Sequence, residues 1–401
     1  MPNRSSVLFF RTYPKVDGTF TLLIRLSRYL DGKGYSVYFL LKRQEYAAGI
    51  IDQIQSTAKI IFTDELDSMK QSGTLPPVDI IHGIVSGDAL YWLYTELKQV
   101  YFPAAAAVIG SYHPRAYYTE TWFGPTQDTI LTRKLFRKIP PANLCFMNES
   151  VRAENARLFR CDFSKSPIIP LPIQVGPFNR ALNQVVRNRV VSVGRLVEFK
   201  RYVMPVIDCI IDLRQKGMEY DFHVYGDGPL LGEVQAYVEE KRAGDFVKLF
   251  GPLDYSRFAE VVEPAGVFVG MGTAMLESSA LGVPSLIAIE SNDQFTYGWS
   301  FDQQGYEVGE VLEGKEMMPY DSFLQEAWNA NCDEYKRMSI ASWNRAKMFS
   351  IEAVGRSYEE FINQADDQFI FEVSKWRLLF VRLARQLSKF KPLVKRKYIH
   401  K

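Results

Sequence analysis

Short apolar runs alternate with amphipathic stretches along most of the 401-residue chain. Val7–Phe10 predicts a first strand, and the turn at Asp17-Gly18 leads into a helix over Leu22–Leu30. Ser36–Leu41, Ile60–Phe62, Asp79–Ile81 and Ala107–Gly110 predict further strands, with helical periodicity between some of them. Apolar strands separated by helices point to a mainly parallel sheet covered on both faces.

The pattern stops where Pro167, Pro170, Pro172 and Pro177 crowd together, because closely spaced prolines resist both helix and central strand. It then restarts. Val190–Val193, Phe222–Tyr225, Val247–Phe250, Val267–Val269 and Ser285–Ala288 predict strands, joined by helices over about 202–216, 231–242, 255–262 and 273–281. This predicts two Rossmann-like α/β domains, 1–175 and 176–365, facing a central cleft, followed by a basic tail over 366–401.

Composition narrows the class. The chain is long enough to bury a core without disulfides, and Cys145, Cys161, Cys209 and Cys332 form no Cys-x-x-Cys pair. That spacing fits a reducing compartment and argues against a zinc site. No uninterrupted apolar run reaches the length of a membrane span or a signal peptide, so the expected location is cytoplasmic. The net charge of +2 conceals an acidic body: residues 374–401 carry ten Lys and Arg and no acid. An acidic body does not suit a nucleic-acid partner.

Three blocks carry candidate chemistry. Gly194-Arg195-Leu196-Val197-Glu198-Phe199-Lys200 follows a strand with two cations, where a parallel sheet places its ligands, and both residue types recognise phosphate. Gly226-Asp227-Gly228-Pro229-Leu230 reads as a sharp turn into a helix. Gly270-Met271-Gly272-Thr273-Ala274-Met275-Leu276-Glu277 is a Gly-rich entry to a helix that Thr273 could cap and Gly282 could close. The backbone amides of such a helix start favour a diphosphate, and Glu277, one turn in, suits a ribose. Surface cations, a structural turn and a solvated Glu are the plain alternatives for these blocks taken singly.

Together, with Phe250-Gly251 and Leu281-Gly282-Val283-Pro284, these blocks resemble the C-terminal half of the GT-B-fold retaining glycosyltransferases of family 4. The resemblance implies that Arg195 and Lys200 hold the donor diphosphate and stabilise it as it leaves. It implies that Gly272 and the Thr273–Ala274 amides add to this, that Glu277 binds the ribose, and that Phe250 lies by the base. In the other domain it implies that Gly18 admits the diphosphate and that His113 stands by the transferred sugar near the acceptor; His82 lines the cleft or the core. Arg195, Lys200 and His113 are thus the expected catalytic residues. The implied co-substrate is a nucleotide sugar, UDP- or GDP-linked, with no essential metal. One position departs from the family pattern: Val269 stands where the earlier of two paired glutamates is usual.

In the tail, Trp376, Leu379, Phe380, Leu383, Leu387 and Phe390 fall on one helical face, with Arg377, Arg382, Arg385 and Lys389 mostly elsewhere. A basic helix with Trp and Phe on its apolar side suits an anionic membrane surface. A C-terminal helix packed on the body is the alternative. The whole predicts a glycosyltransferase at the inner face of a membrane, transferring to a glycan or lipid-linked glycan in capsule, O-antigen (lipopolysaccharide) or exopolysaccharide synthesis. A non-catalytic GT-B subunit and a GT-B sugar-nucleotide epimerase are the rival readings.

Overall fold

The computed structural model describes residues 4–12, 18–46, 49–121, 124–292, 294–312 and 314–388. The chain divides into two compact units: residues 1–172 together with 351–401, and residues 173–350. The division falls inside the proline-rich stretch.

The first unit is built on strands β1 (Ser6–Arg11), β2 (Ser36–Leu41), β3 (Lys59–Phe62), β4 (Ile80–Gly83) and β5 (Ala106–Ser111). A small antiparallel ribbon of β6 (Glu120–Thr121) and β7 (Gly124–Pro125) follows, then β8 (Leu144–Phe146). The main sheet is wholly parallel in the order β3-β2-β1-β4-β5-β8. Every residue of β1, β4 and β5 is buried, as a central parallel strand covered by helices requires, and the end strand β8 is buried as well.

The second unit contains β9 (Val186–Val193), β10 (Asp221–Tyr225), β11 (Val247–Leu249), β12 (Ala265–Gly270), β13 (Ser285–Ala288), β14 (Phe295–Trp299) and β15 (Met318–Pro319). Its order is β11-β10-β9-β12-β13-β14-β15, parallel as far as β13 and antiparallel beyond. In both sheets the chain runs outward from a central strand on one side, then returns to that strand's other flank. This creates a topological switch point, β1/β4 in one unit and β9/β12 in the other.

The helix Ile351–Gln364 differs from the sequence division at 365. Its Val354, Tyr358, Phe361 and Ile362 are buried in the core of the first unit. His82 on β4 belongs to the same core: it is fully buried, stacks on Tyr358 at 5.5 Å and shares a 2.8 Å hydrogen bond with its hydroxyl. Burial holds its pKa down at about 3, so it is a neutral structural histidine.

The helix Lys375–Ser388 starts on Ser374, whose carbonyl accepts from Arg377 at 2.9 Å, and lies against the helix Gln127–Phe136. Val381 is its buried anchor, whereas Trp376, Leu379, Phe380 and Leu383 are 81%, 46%, 51% and 50% exposed. The apolar face read from the sequence therefore points away from the core. The side chains of Arg385 and Leu387, and all of residues 389–401 with Phe390 and six of the ten tail cations, lie outside the described set. No described helix is long and apolar enough to cross a membrane.

Candidate functional site

At the carboxyl end of β9 the chain turns through Gly194, Arg195 and Leu196, then makes a short turn Glu198–Lys200 before the helix Val203–Gln215. Backbone hydrogen bonds tie this loop to those after β10 and β11. Gly194 N–H donates to Tyr225 O at 2.9 Å, Leu196 N–H to Asp227 O at 2.7 Å, and Gly226 N–H to Gly251 O at 2.7 Å. A Cβ on Gly226 would overlap the carbonyl oxygen of Gly194, and one on Gly228 that of Leu196. The Gly226-Asp227-Gly228 block thus serves loop-on-loop packing, and that packing sets where Arg195 stands.

Arg195 is exposed and Lys200 half-buried. A methyl group on Gly194 would lie 3.8 Å from Lys200 Nζ, so the ammonium sits beside the end of β9. Burial first, and the charge of Arg195 second, hold the Lys200 pKa below the usual lysine value, with Glu290 acting in the opposite direction. Two cations placed close enough to oppose each other form a site that an anion relieves.

The neighbouring strand β12 delivers Gly270-Met271-Gly272 and the helix Thr273–Ala280. Gly272, not Thr273, is the N-cap, and no side chain caps the helix. The Gly272 N–H donates to Val308 O at 2.7 Å, so this residue contributes space rather than a free donor. Thr273 and Ala274 open the helix, where amide groups point outward and the dipole favours an anion. Gly282, at φ +76°, follows the helix end as the sequence predicts.

Further along that helix Glu277 is half-buried, and Oε1 accepts a 2.9 Å hydrogen bond from the Tyr255 hydroxyl. Phe250 follows β11 with half its surface exposed. Its ring stacks on Tyr225 with centroids 4.6 Å apart and meets His223 edge-on at 5.1 Å. An exposed aromatic face backed by two rings is a platform for a planar group.

Val269, at the position of the missing glutamate, is fully buried in β12 within the core. Another acid brought to this end of the sheet is Glu290, just after β13. The adjacent Ser291 N–H donates to Phe199 O at 3.0 Å, joining this loop to the one carrying Lys200. Sequence reasoning missed Glu290, although an acid just past a predicted strand was a usable signal. Tyr255 carried none.

In the first unit Gly18 opens the helix Gly18–Gly32, and a Cβ there would meet nothing within 4 Å. Asp17 lies outside the described residues. His113 is exposed just past β5, and its Nδ1 accepts from the Arg115 N–H at 3.1 Å, so the proton of the neutral ring sits on Nε2. Partial desolvation and then the Arg115 charge keep its pKa below the usual histidine value. Among the described residues no group of three or more His, Cys, Asp or Glu is gathered to hold a metal ion.

Neither a protein-family model nor a curated protein sequence matches the chain. Solved structures do. A mutant of S. aureus TarM in complex with fondaparinux, alpha-GlcNAc-glycerol and UDP has TM-score 0.60 and 11% identity over 90% of this chain and 100% of that one. The pneumococcal O-GlcNAc transferase GtfA in complex with UDP and GlcNAc gives TM-score 0.59 and 10% identity, covering 90% and 99%. The chain has the GT-B fold. The lipopolysaccharide outer core galactosyltransferase WaaB shows the same GT-B similarity, with TM-score 0.56 and 11% identity over 90% and 99%. Within this GT-B chain, the β9 and β12 loops bring Arg195, Lys200, Thr273 and Ala274 to one switch point of the second unit's sheet.

Proposed function

We propose that the protein is a nucleotide-sugar-dependent glycosyltransferase of the retaining, family 4 type. The carrying observation is the pairing of two mutually opposed cations after β9 with an uncapped helix start after β12, on the flanks of one switch point. That arrangement fits a diphosphate. Phe250 offers a face to the base and Glu277 an acceptor to the ribose hydroxyls. Support from the comparisons is that the similar TarM and GtfA structures both hold UDP.

In this reading the bond between the sugar's anomeric carbon and the diphosphate oxygen breaks as an acceptor hydroxyl bonds to the same carbon from the same face. The hydroxyl proton passes to the departing phosphate. Arg195, Lys200 and the Thr273–Ala274 amides stabilise the charge that develops on the leaving group, an electrostatic contribution fixed before reaction. His113, with its proton on Nε2, donates to the transferred sugar. Glu290 stands in for the glutamate absent at Val269, accepting from a sugar hydroxyl and moderating the charge on Lys200. The donor is a UDP- or GDP-sugar, needing no metal.

The acceptor is a glycan or lipid-linked glycan of capsule, O-antigen or exopolysaccharide synthesis. The outward apolar face of the helix Lys375–Ser388 supports peripheral attachment to the inner face of a membrane. Incubating the protein with UDP-, GDP- and ADP-sugars and following nucleotide release tests the reading. Slow hydrolysis, accelerated by an acceptor, is expected. Binding without any release would favour the non-catalytic alternative that Val269 motivates, and isomerised donor would favour the epimerase.

A further inference from the structure

The first unit holds a pocket of about 540 Å³ at the root of the C-terminal helix. Its cations come from two directions: Lys134, Arg137 and Lys138 at the end of the helix Gln127–Phe136, and Arg377 in the first turn of Lys375–Ser388. Leu131, Phe371 and Val373 supply apolar walls, and Glu372 is the single acid. Arg377 bonds Gln127 Oε1 through Nη2 at 3.3 Å, while its Nε is buried without a hydrogen-bond partner. Such a donor costs stability until something accepts from it. Beside this pocket rise Trp376, Leu379, Phe380 and Leu383, the exposed apolar face.

We infer that this pocket receives the phosphate headgroup of an anionic phospholipid while the neighbouring helix face enters the bilayer interface. The inference rests on the membrane reading above and deepens it, assigning headgroup recognition to the folded unit rather than to tail charge alone. Four cations against one acid match a phosphodiester. Partly apolar walls suit the glycerol and first acyl carbons, and adjacency to an outward Trp and Phe puts the cations at headgroup depth. Free inorganic phosphate would need the cations but no apolar flank, so the shape commits the site to a lipid.

The test is flotation of the full chain with phosphatidylcholine vesicles and with vesicles containing phosphatidylglycerol. Each surface cation contributes about fivefold to anionic-membrane binding. The Lys134→Ala/Arg137→Ala/Lys138→Ala variant is therefore expected to bind phosphatidylglycerol vesicles at least tenfold more weakly. A control removing as many exposed charges from the same unit, Lys33→Ala/Lys59→Ala/Lys70→Ala, should lose far less. Trp376→Ala/Phe380→Ala should abolish binding to both vesicle types. Equal losses for the two triple variants would overturn the pocket and leave general charge attraction, with the membrane reading intact. Binding of inorganic phosphate without vesicle binding would replace the lipid by a free anion. If the unmodified chain floats with neither vesicle and binds no phosphate, the membrane reading and the pocket fall together.

Discussion

Tyr255 donates its hydroxyl proton to Glu277 Oε1 across 2.9 Å, tying an exposed ring on the loop after β11 to a carboxylate on the helix after β12. The contact restrains a side chain that would otherwise sample several rotamers, so Tyr255 is a positioning residue for the proposed ribose site. Tyr255→Phe should weaken donor binding about fivefold, about 1 kcal/mol, the net worth of one solvent-exposed hydrogen bond. Glu277→Gln should cost about tenfold or more. A 2′-deoxyribose donor checks the role by titration calorimetry: with it, Tyr255→Phe should cost nothing further. An undiminished loss would place Tyr255 elsewhere in the mechanism.

The two kinds of glycine make opposite predictions. A Cβ at Gly228 runs into the Leu196 carbonyl, and φ there is +142°, so Gly228→Ala should lower the stability of the second unit by about 2–4 kcal/mol. At Gly18 a Cβ meets open space. Gly18→Ala should leave urea unfolding within about 0.5 kcal/mol and change only donor affinity. An unaltered affinity would remove Gly18 from the site.

Lys200 sets an alkaline limit. Its pKa in the folded chain lies below the usual lysine value of 10.5, so it loses its proton earlier than an exposed lysine as pH rises. Donor affinity should therefore fall on the alkaline side while ordinary lysines are still charged. Lys200→Arg, whose guanidinium stays protonated, should flatten that limb even if affinity at neutral pH drops. An unchanged profile in the Arg variant would show that Lys200 does not face the diphosphate.

His82 gives an acid-stability signature. Its folded pKa is about 3 against 6.5 for an exposed ring. Above pH 6.5 both folded and unfolded forms are neutral and nothing is lost. Below it the unfolded chain takes up a proton that the core refuses, so stability falls by roughly 1.4 kcal/mol per pH unit until the folded ring also titrates. Urea midpoints measured across this range should drop more steeply for the parent chain than for His82→Gln, which cannot titrate. Parallel slopes would contradict the assignment.

The central strands of both sheets were legible because each is a short apolar run bounded by turn residues, and Ser36–Leu41 and Ser285–Ala288 begin and end where the pattern puts them. β8 escaped notice because Leu144-Cys145-Phe146 is too short to show a period. β14 and β15 lie in an antiparallel extension, in which β14 mixes Gly and Thr with Phe, Tyr and Trp and β15 is only Met318-Pro319. The helix Ile351–Gln364 was not singled out from the sequence, and an apolar stripe does not say which of two cores it enters. At the site, the cations and the helix start were readable from their place after strands. The capping role fell to Gly272 because the backbone, rather than a hydroxyl, makes that turn. Glu290 acquires its setting through contacts between distant loops, its own N–H donating to Gly309 O at 2.7 Å and the adjacent Ser291 N–H to Phe199 O.

In the proposed function the β9 and β12 loops bind the diphosphate of a sugar nucleotide. Titration calorimetry of UDP-, GDP- and ADP-sugars against the parent chain and the Arg195→Ala and Lys200→Ala variants, without added metal, tests it directly. We expect one nucleotide class to bind, and each variant to lose about tenfold or more in affinity while its unfolding transition is unchanged. Equal affinity in folded variants, or no binding by the parent chain to any nucleotide sugar, would contradict the account.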